Sequence, residues 1–228
     1  VNIILLMKKV NISESTSEKR LIWLWIVFVT VIYFLLTFFS QDFIYSDSIY
    51  YRSYSSTITQ QSIENMLGLQ SRFWWASYIL IPIVLIFKFA LISVCVSIGK
   101  VFSDMNIEFK QIFRATVFGE WIFIIAQITF TTILYLNLDD ITLQNASGYF
   151  PLSALSFIGI ENVNAQWAIY PLQTANLFEV FYMIAIAWFL SKMSKQSFAD
   201  VFSVVLPSYG LGLLLWITLV AFLTFQVT

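Results

Sequence analysis

The sequence contains no histidine and one cysteine, Cys95. Without histidine it lacks the commonest general base and metal ligand, and with them every motif built on HExxH or a Ser-His pair. A single cysteine excludes an intrachain disulfide and any Cys-based metal spacing. Aspartate is missing from the interiors of the long apolar runs, which removes paired-aspartate proteolysis within a membrane. No Gly-rich phosphate loop occurs either. Charge is scarce: Asp, Glu, Lys and Arg make up 11% of the chain, against about 25% in a soluble domain. The reading is of no enzyme, no metal, no cofactor and no nucleic-acid partner.

What fills the chain instead is apolar. Hydrophobic residues reach 59% and aromatics 18%, with 23 Phe among them, which leaves too little polar surface to cover a globule in water. Five segments reach the length of about 20 mostly apolar residues that a bilayer demands, at roughly 21–40, 74–99, 116–137, 174–192 and 201–226. None alternates with the period of a barrel strand, and backbone groups in lipid must be satisfied within their own segment. The expected fold class is therefore all-α, a polytopic bundle of five transmembrane helices. The first run exceeds the length of a signal-peptide core, so it reads as an uncleaved first span. The chain opens on Val1, and Met7 is the expected initiator.

Orientation follows from the cations. Lys8, Lys9, Lys19 and Arg20 precede the first span; Lys100, Lys110 and Arg114 lie between the second and third; Lys192 and Lys195 lie between the fourth and fifth. Residues 41–73 carry only Arg52 and Arg72, and residues 138–173 have no cation but do have Asp139, Asp140 and Glu161. This bias predicts a cytoplasmic N-terminal arm over 1–20, a transmembrane domain over 21–228, outer loops at 41–73 and 138–173, and a C-terminus outside. The end of the first loop, SIENMLGLQSRFWW, reads as a short helix lying at the interface, with Trp74 and Trp75 as belt aromatics. The second loop is too apolar to be freely solvated and should fold back over the bundle. Asn145-Ala146-Ser147 matches the glycosylation acceptor triplet, a pattern frequent by chance.

One charge interrupts the apolar run IVLIFKFALI. At 1.5 Å per residue, Lys88 lies about 21 Å from the outer end of its span and about 17 Å from the inner end, beyond comfortable snorkelling. A lysine there costs roughly 2.5–3.5 kcal/mol, an amount its Leu, Ile, Phe and Val neighbours offset. Its charge has to be answered locally. The third span carries Thr116, Glu120, Gln127 and Thr131 on one helical face, and the fourth carries Asn176, Glu179 and Tyr182. In an antiparallel hairpin Gln127 would match the depth of Lys88, with Glu120 about two turns further in. The expectation is a buried polar cluster of Lys88, Glu120, Gln127 and Glu179. Such a cluster is either a functional path or a pairing that fixes helix register. Ser208 and Gly212 in the fifth span form a small-xxx-small pair for close helix contact, as do Ser93 and Ser97 in the second. Pro207 should kink the fifth span, and Ser197 to Asp200 fits a capping box at its start.

A faint internal repeat accompanies this layout. Ile98-Gly99-Lys100 and Leu190-Ser191-Lys192 end two spans, and each is followed by a Phe-x-x-[Ile/Val]-Phe segment, Phe109 to Phe113 and Phe198 to Phe202. Together with residues 98–128 (IGKVFSDMNIEFKQIFRATVFGEWIFIIAQI) and 177–212, including the turn KMSKQSF, the chain resembles the Yip (Ypt-interacting protein) family of five-span membrane proteins. The resemblance is to the bacterial branch; the Asp-Leu-Tyr-Gly-Pro segment typical of eukaryotic members is absent. It implies a non-enzymatic membrane scaffold or accessory subunit in a bacterial cytoplasmic (inner) membrane, paired with another membrane protein or a second copy of itself, and it carries over no catalytic residue set. A different class is a small ion- or proton-coupled carrier or channel that uses Lys88, Glu120 and Glu179 and requires a dimer.

Overall fold

A computed structural model describes residues 2–103, 105–139 and 141–227. Asp140, the side chains of Met7, Lys8, Lys9 and Lys19, and those of Asn145 and Ser147 lie outside the described residues. Among the described residues the secondary structure is helical and no strand forms; an isolated bridge between Ser153 and Asn176 is the nearest approach to one. The helices are α1 (Asn2–Phe39, extended by a π-helical turn to Ile44), α2 (Asp47–Tyr54), α3 (Gln60–Val101), α4 (Phe109–Gly119) and α5 (Trp121–Leu136). They continue as α6 (Leu143–Gly148), α7 (Ala154–Ile158), α8 (Gln166–Thr174), α9 (Leu177–Ser194) and α10 (Phe198–Val227).

Five stretches are long and apolar enough to cross a membrane: Arg20–Ile44, Gln60–Val101, Phe109–Leu136, Leu177–Ser194 and Phe198–Gln226. Their outward faces are apolar, with Leu24, Leu35, Ile79, Ile83, Leu211 and Leu215 all exposed. A continuous exterior of this kind suits hydrocarbon and would be a liability in water.

The segment 60–73 does not form a separate interfacial helix. Thr59 caps it by accepting a hydrogen bond from the Ser62 amide, and the helix then runs unbroken through Trp74 and Trp75 to Val101. At 1.5 Å per residue those 42 residues reach about 63 Å, twice a bilayer core of about 30 Å, so the N-terminal part of α3 projects beyond it.

The core is built on four helices. Ile92 and Val96 of α3, Ile112 and Ala115 of α4, Tyr182 and Ile186 of α9, and Val205 and Tyr209 of α10 form one buried cluster. The first span joins from the side, packing Ile22, Ile26 and Val29 against Leu85, Phe89, Val117 and Ile124. Small residues let α3 and α10 approach closely. A Cβ added at Gly99 would collide with Ser208, and one added at Gly212 would lie 2.5 Å from Cys95 Sγ. Ser208 and Gly212 thus meet Gly99 and Cys95, two residues along from Ser97 and Ser93.

Short turns close one end of the bundle. Between α3 and α4 the Lys100 ammonium donates to the Ile107 carbonyl, and a capping box pairs Glu108 with Gln111 at the start of α4. The Gln111 side chain also donates to Met193 O (3.0 Å), tying this turn to the end of α9. At the start of α10, Ser197 accepts from the Asp200 amide (3.2 Å) and donates to its carboxylate (2.6 Å). Both Phe-x-x-x-Phe segments open a helix, α4 at Phe109 and α10 at Phe198. At the other end the segment 138–176 folds onto the spans: Phe150 packs edge-on against Phe178, and Tyr170 accepts a hydrogen bond from Trp216 of α10 (2.7 Å).

Candidate intramembrane site

The helix of the third span tightens at Glu120. The Glu120 amide bonds the carbonyl three residues back, Val117 (3.3 Å). The i−4 acceptor, Thr116 O, instead takes its hydrogen bond from the Tyr182 hydroxyl (3.0 Å), and Val117 O also accepts from Trp25 Nε1 (3.0 Å). In lipid every backbone polar group needs a partner inside the protein, so this irregular turn is sustained by two aromatic side chains from other spans.

That turn places the Glu120 carboxylate among three helices. Lys88 Nζ donates to Oε1 (2.9 Å) and Oε2 (2.8 Å), and the Tyr33 hydroxyl donates to Oε1 (3.0 Å). Glu120 is 0% exposed, whereas the Lys88 side chain keeps 29% exposure. The ammonium also lies 3.7 Å from the centre of the Phe123 ring and 5.1 Å from that of Tyr182. It is therefore held between a carboxylate and the electron-rich faces of two rings, an arrangement strengthened by desolvation.

A second carboxylate sits nearby on α9. Asn176 caps this helix by accepting from the Glu179 amide (2.9 Å), which puts Glu179 in the first turn where the helix dipole favours negative charge. Glu179 Oε2 accepts from the Tyr209 hydroxyl of α10 (2.6 Å). The Tyr182 ring links the two groups, lying 4.9 Å from Phe123 beside Lys88 and 5.8 Å from Tyr209 beside Glu179, centre to centre. All five spans thus contribute a residue: Tyr33, Lys88, Glu120, Glu179 and Tyr209.

Lys88 and Glu179 border one cavity of about 460 Å³ between α3 and α10, with α8 and the start of α9 also lining it. Phe87, Tyr170, Tyr209 and Trp216 are among the aromatic residues that wall it, and Cys95 lies along its α3 side.

Of the residues singled out from the sequence, Lys88 and Glu120 are joined directly, and Glu179 shares the cavity with Lys88. Gln127 lies seven residues beyond Glu120, and no hydrogen bond among the described residues links it to the others. The depth register differs from the hairpin expectation for a physical reason. The capping box starts α4 at Phe109 and not near 116, which moves the third span two turns along α3 and sets Glu120 opposite Lys88. Ser93 is buried and hydrogen-bonds Phe89 O (2.6 Å), with Thr116 Oγ1 at 3.3 Å. Ser97 Oγ is buried with no hydrogen-bond partner among the described residues. Sequence reasoning missed Tyr33, Phe123 and Tyr209. For the first, the row Trp25, Val29, Tyr33 at helical spacing was an available signal: one buried residue flanked by two aromatic donors on one face.

Comparison with protein-family models, with curated proteins and with solved structures finds no significant match. What the site can do must accordingly be argued from its own geometry. Among the described residues no three His, Cys, Asp or Glu side chains gather as metal ligands.

Proposed function

We propose that this protein is a non-enzymatic, five-span integral membrane protein that binds a small solute in the cavity between α3, α9 and α10 and acts as a small carrier. One observation supports this above the rest: Lys88, which is bonded to Glu120, and Glu179 both line a ligand-sized cavity with aromatic side chains in its wall. A pairing that served register alone would need no adjoining space. Ligand sites of roughly 300–1,000 Å³ with apolar walls and a few convergent polar groups are the common form of small-molecule pockets.

The cation bias supports an orientation with the 102–108 and 195–197 turns on the cytoplasmic side of a bacterial inner membrane, so that the α8 side of the cavity faces outward. The likeness to the Yip family, carried by residues 98–128 and 177–212, fits the same five-span layout. It also makes the scaffold or accessory role the reading to be distinguished.

Cys95 provides the test, because it lines the cavity and is the chain's one cysteine. In proteoliposomes a membrane-impermeant cationic methanethiosulfonate should modify Cys95 in the folded protein. Modification only after denaturation would replace the carrier reading with that of a closed scaffold.

A further inference from the structure

The acidic groups at the cavity outnumber the basic ones: Lys88 and Glu179 line it, and Glu120, bonded to Lys88, stands behind the wall. The pairing within this set is unequal. Lys88 spends its donors on both oxygens of Glu120, with the Phe123 ring 3.7 Å away on another side. An ammonium has three N–H groups, so little donor capacity remains for an incoming anion. Glu179 is bonded through Oε2 to the neutral hydroxyl of Tyr209, and its Oε1 receives no hydrogen bond from the described residues.

The rest of the wall has matching chemistry. The Phe87 and Trp216 rings lie 6.5 Å apart between centres, tilted at 56°, and Tyr170, Tyr209, Phe123 and Phe150 add to the aromatic lining. Rings present negative faces, and a carboxylate beside several of them forms the surroundings that recognise an organic cation. Among the described residues no three His, Cys, Asp or Glu side chains gather to hold a metal ion, and a purely apolar ligand would leave the Glu179 carboxyl without a partner for its second oxygen.

Resting on the reading that this cavity binds a solute, we infer that the solute is an organic cation, an amine or quaternary ammonium with an apolar body, held by Glu179 and the Phe87, Tyr170 and Trp216 rings. Lys88 is already neutralised by Glu120, so its role is to hold the helices and not to meet the ligand.

The test uses the full chain in lipid nanodiscs and tritiated benzyltrimethylammonium as the probe. Saturable binding is expected. Glu179→Gln should weaken it at least ~10-fold, and Trp216→Leu should weaken it several-fold through loss of the best cation–π partner. Unlabelled neopentylbenzene, the neutral isostere, and phenylacetate should compete at least ~10-fold less well than the unlabelled cation. The Trp216 variant leaves the buried carboxylates intact, so it remains informative should Glu179→Gln fold poorly. Absence of saturable binding would overturn the inference, as would equal competition by the neutral isostere, stronger competition by phenylacetate, or full affinity in both variants. The solute-binding reading is judged separately by Cys95 modification, which needs none of these probes.

Discussion

The Lys88 ammonium contacts both oxygens of the Glu120 carboxylate, at 2.9 and 2.8 Å, and it does so across two spans whose other facing side chains are almost all apolar. A pair in this position cannot be dissolved by solvent when one member is lost. Its strength is thus largely the penalty of leaving the other charge behind. The surrounding residues add to it, since Tyr33 gives Glu120 Oε1 a second donor, Trp25 gives Val117 O a second donor, and Tyr182 donates to Thr116 O, which the Glu120 amide leaves free.

The tightened turn at Glu120 depends on its two outside donors. Tyr182→Phe removes the donor that replaces the Glu120 amide at Thr116 O and should destabilise the protein by about 1–3 kcal/mol, whereas Trp25→Phe removes one of two donors to Val117 O and should cost about 0.5–1.5 kcal/mol. Equilibrium unfolding in mixed micelles measures this. Changes below about 0.5 kcal/mol in both would mean that the two carbonyls are satisfied without them.

Contact between α3 and α10 tolerates no added methyl at its tightest point. Gly99→Ala drives a Cβ into Ser208, where backbone and not merely a flexible side-chain tip must give way, and a loss of about 1–3 kcal/mol is expected. Adding Ser208→Gly should restore most of it. A Gly99→Ala variant as stable as the parent would show that the helices are further apart than described.

Topology is open to a cheap measurement. Reporter fusions after residues 105 and 195 should behave as cytoplasmic, and one after residue 155 as external, because Lys and Arg concentrate beside the two short turns. The opposite pattern would invert the orientation, and residues 105 and 155 on the same side would remove the third span.

The helices themselves were legible, since long apolar runs without period-2 alternation leave no other backbone arrangement in lipid. Register was not. It depended on the Glu108–Gln111 capping box, which lies in a polar stretch that hydropathy passes over and which starts α4 seven residues ahead of the expected span. Continuity of α3 through residues 60–73 was hidden for the same reason: a polar helix extending out of the membrane has the composition of a loop. Lys88 and Glu120 could be picked out because an ionisable residue in a span needs a reason. Tyr209 could not, because a tyrosine in an apolar run is unremarkable until its hydroxyl has a partner, and Tyr33 was reachable only through its helical spacing with Trp25 and Val29. The cavity left no trace in the sequence, being a property of how α3, α8 and α10 are set together.

The central physical claim is that Lys88 and Glu120 are coupled inside the membrane, and a double-mutant cycle measures that coupling directly. Lys88→Met and Glu120→Leu should each cost about 3–5 kcal/mol, while the double variant, with both charges gone, should recover most of the loss. Additive losses, with the double variant no better than the sum of the singles, would contradict the pairing on which the site is built.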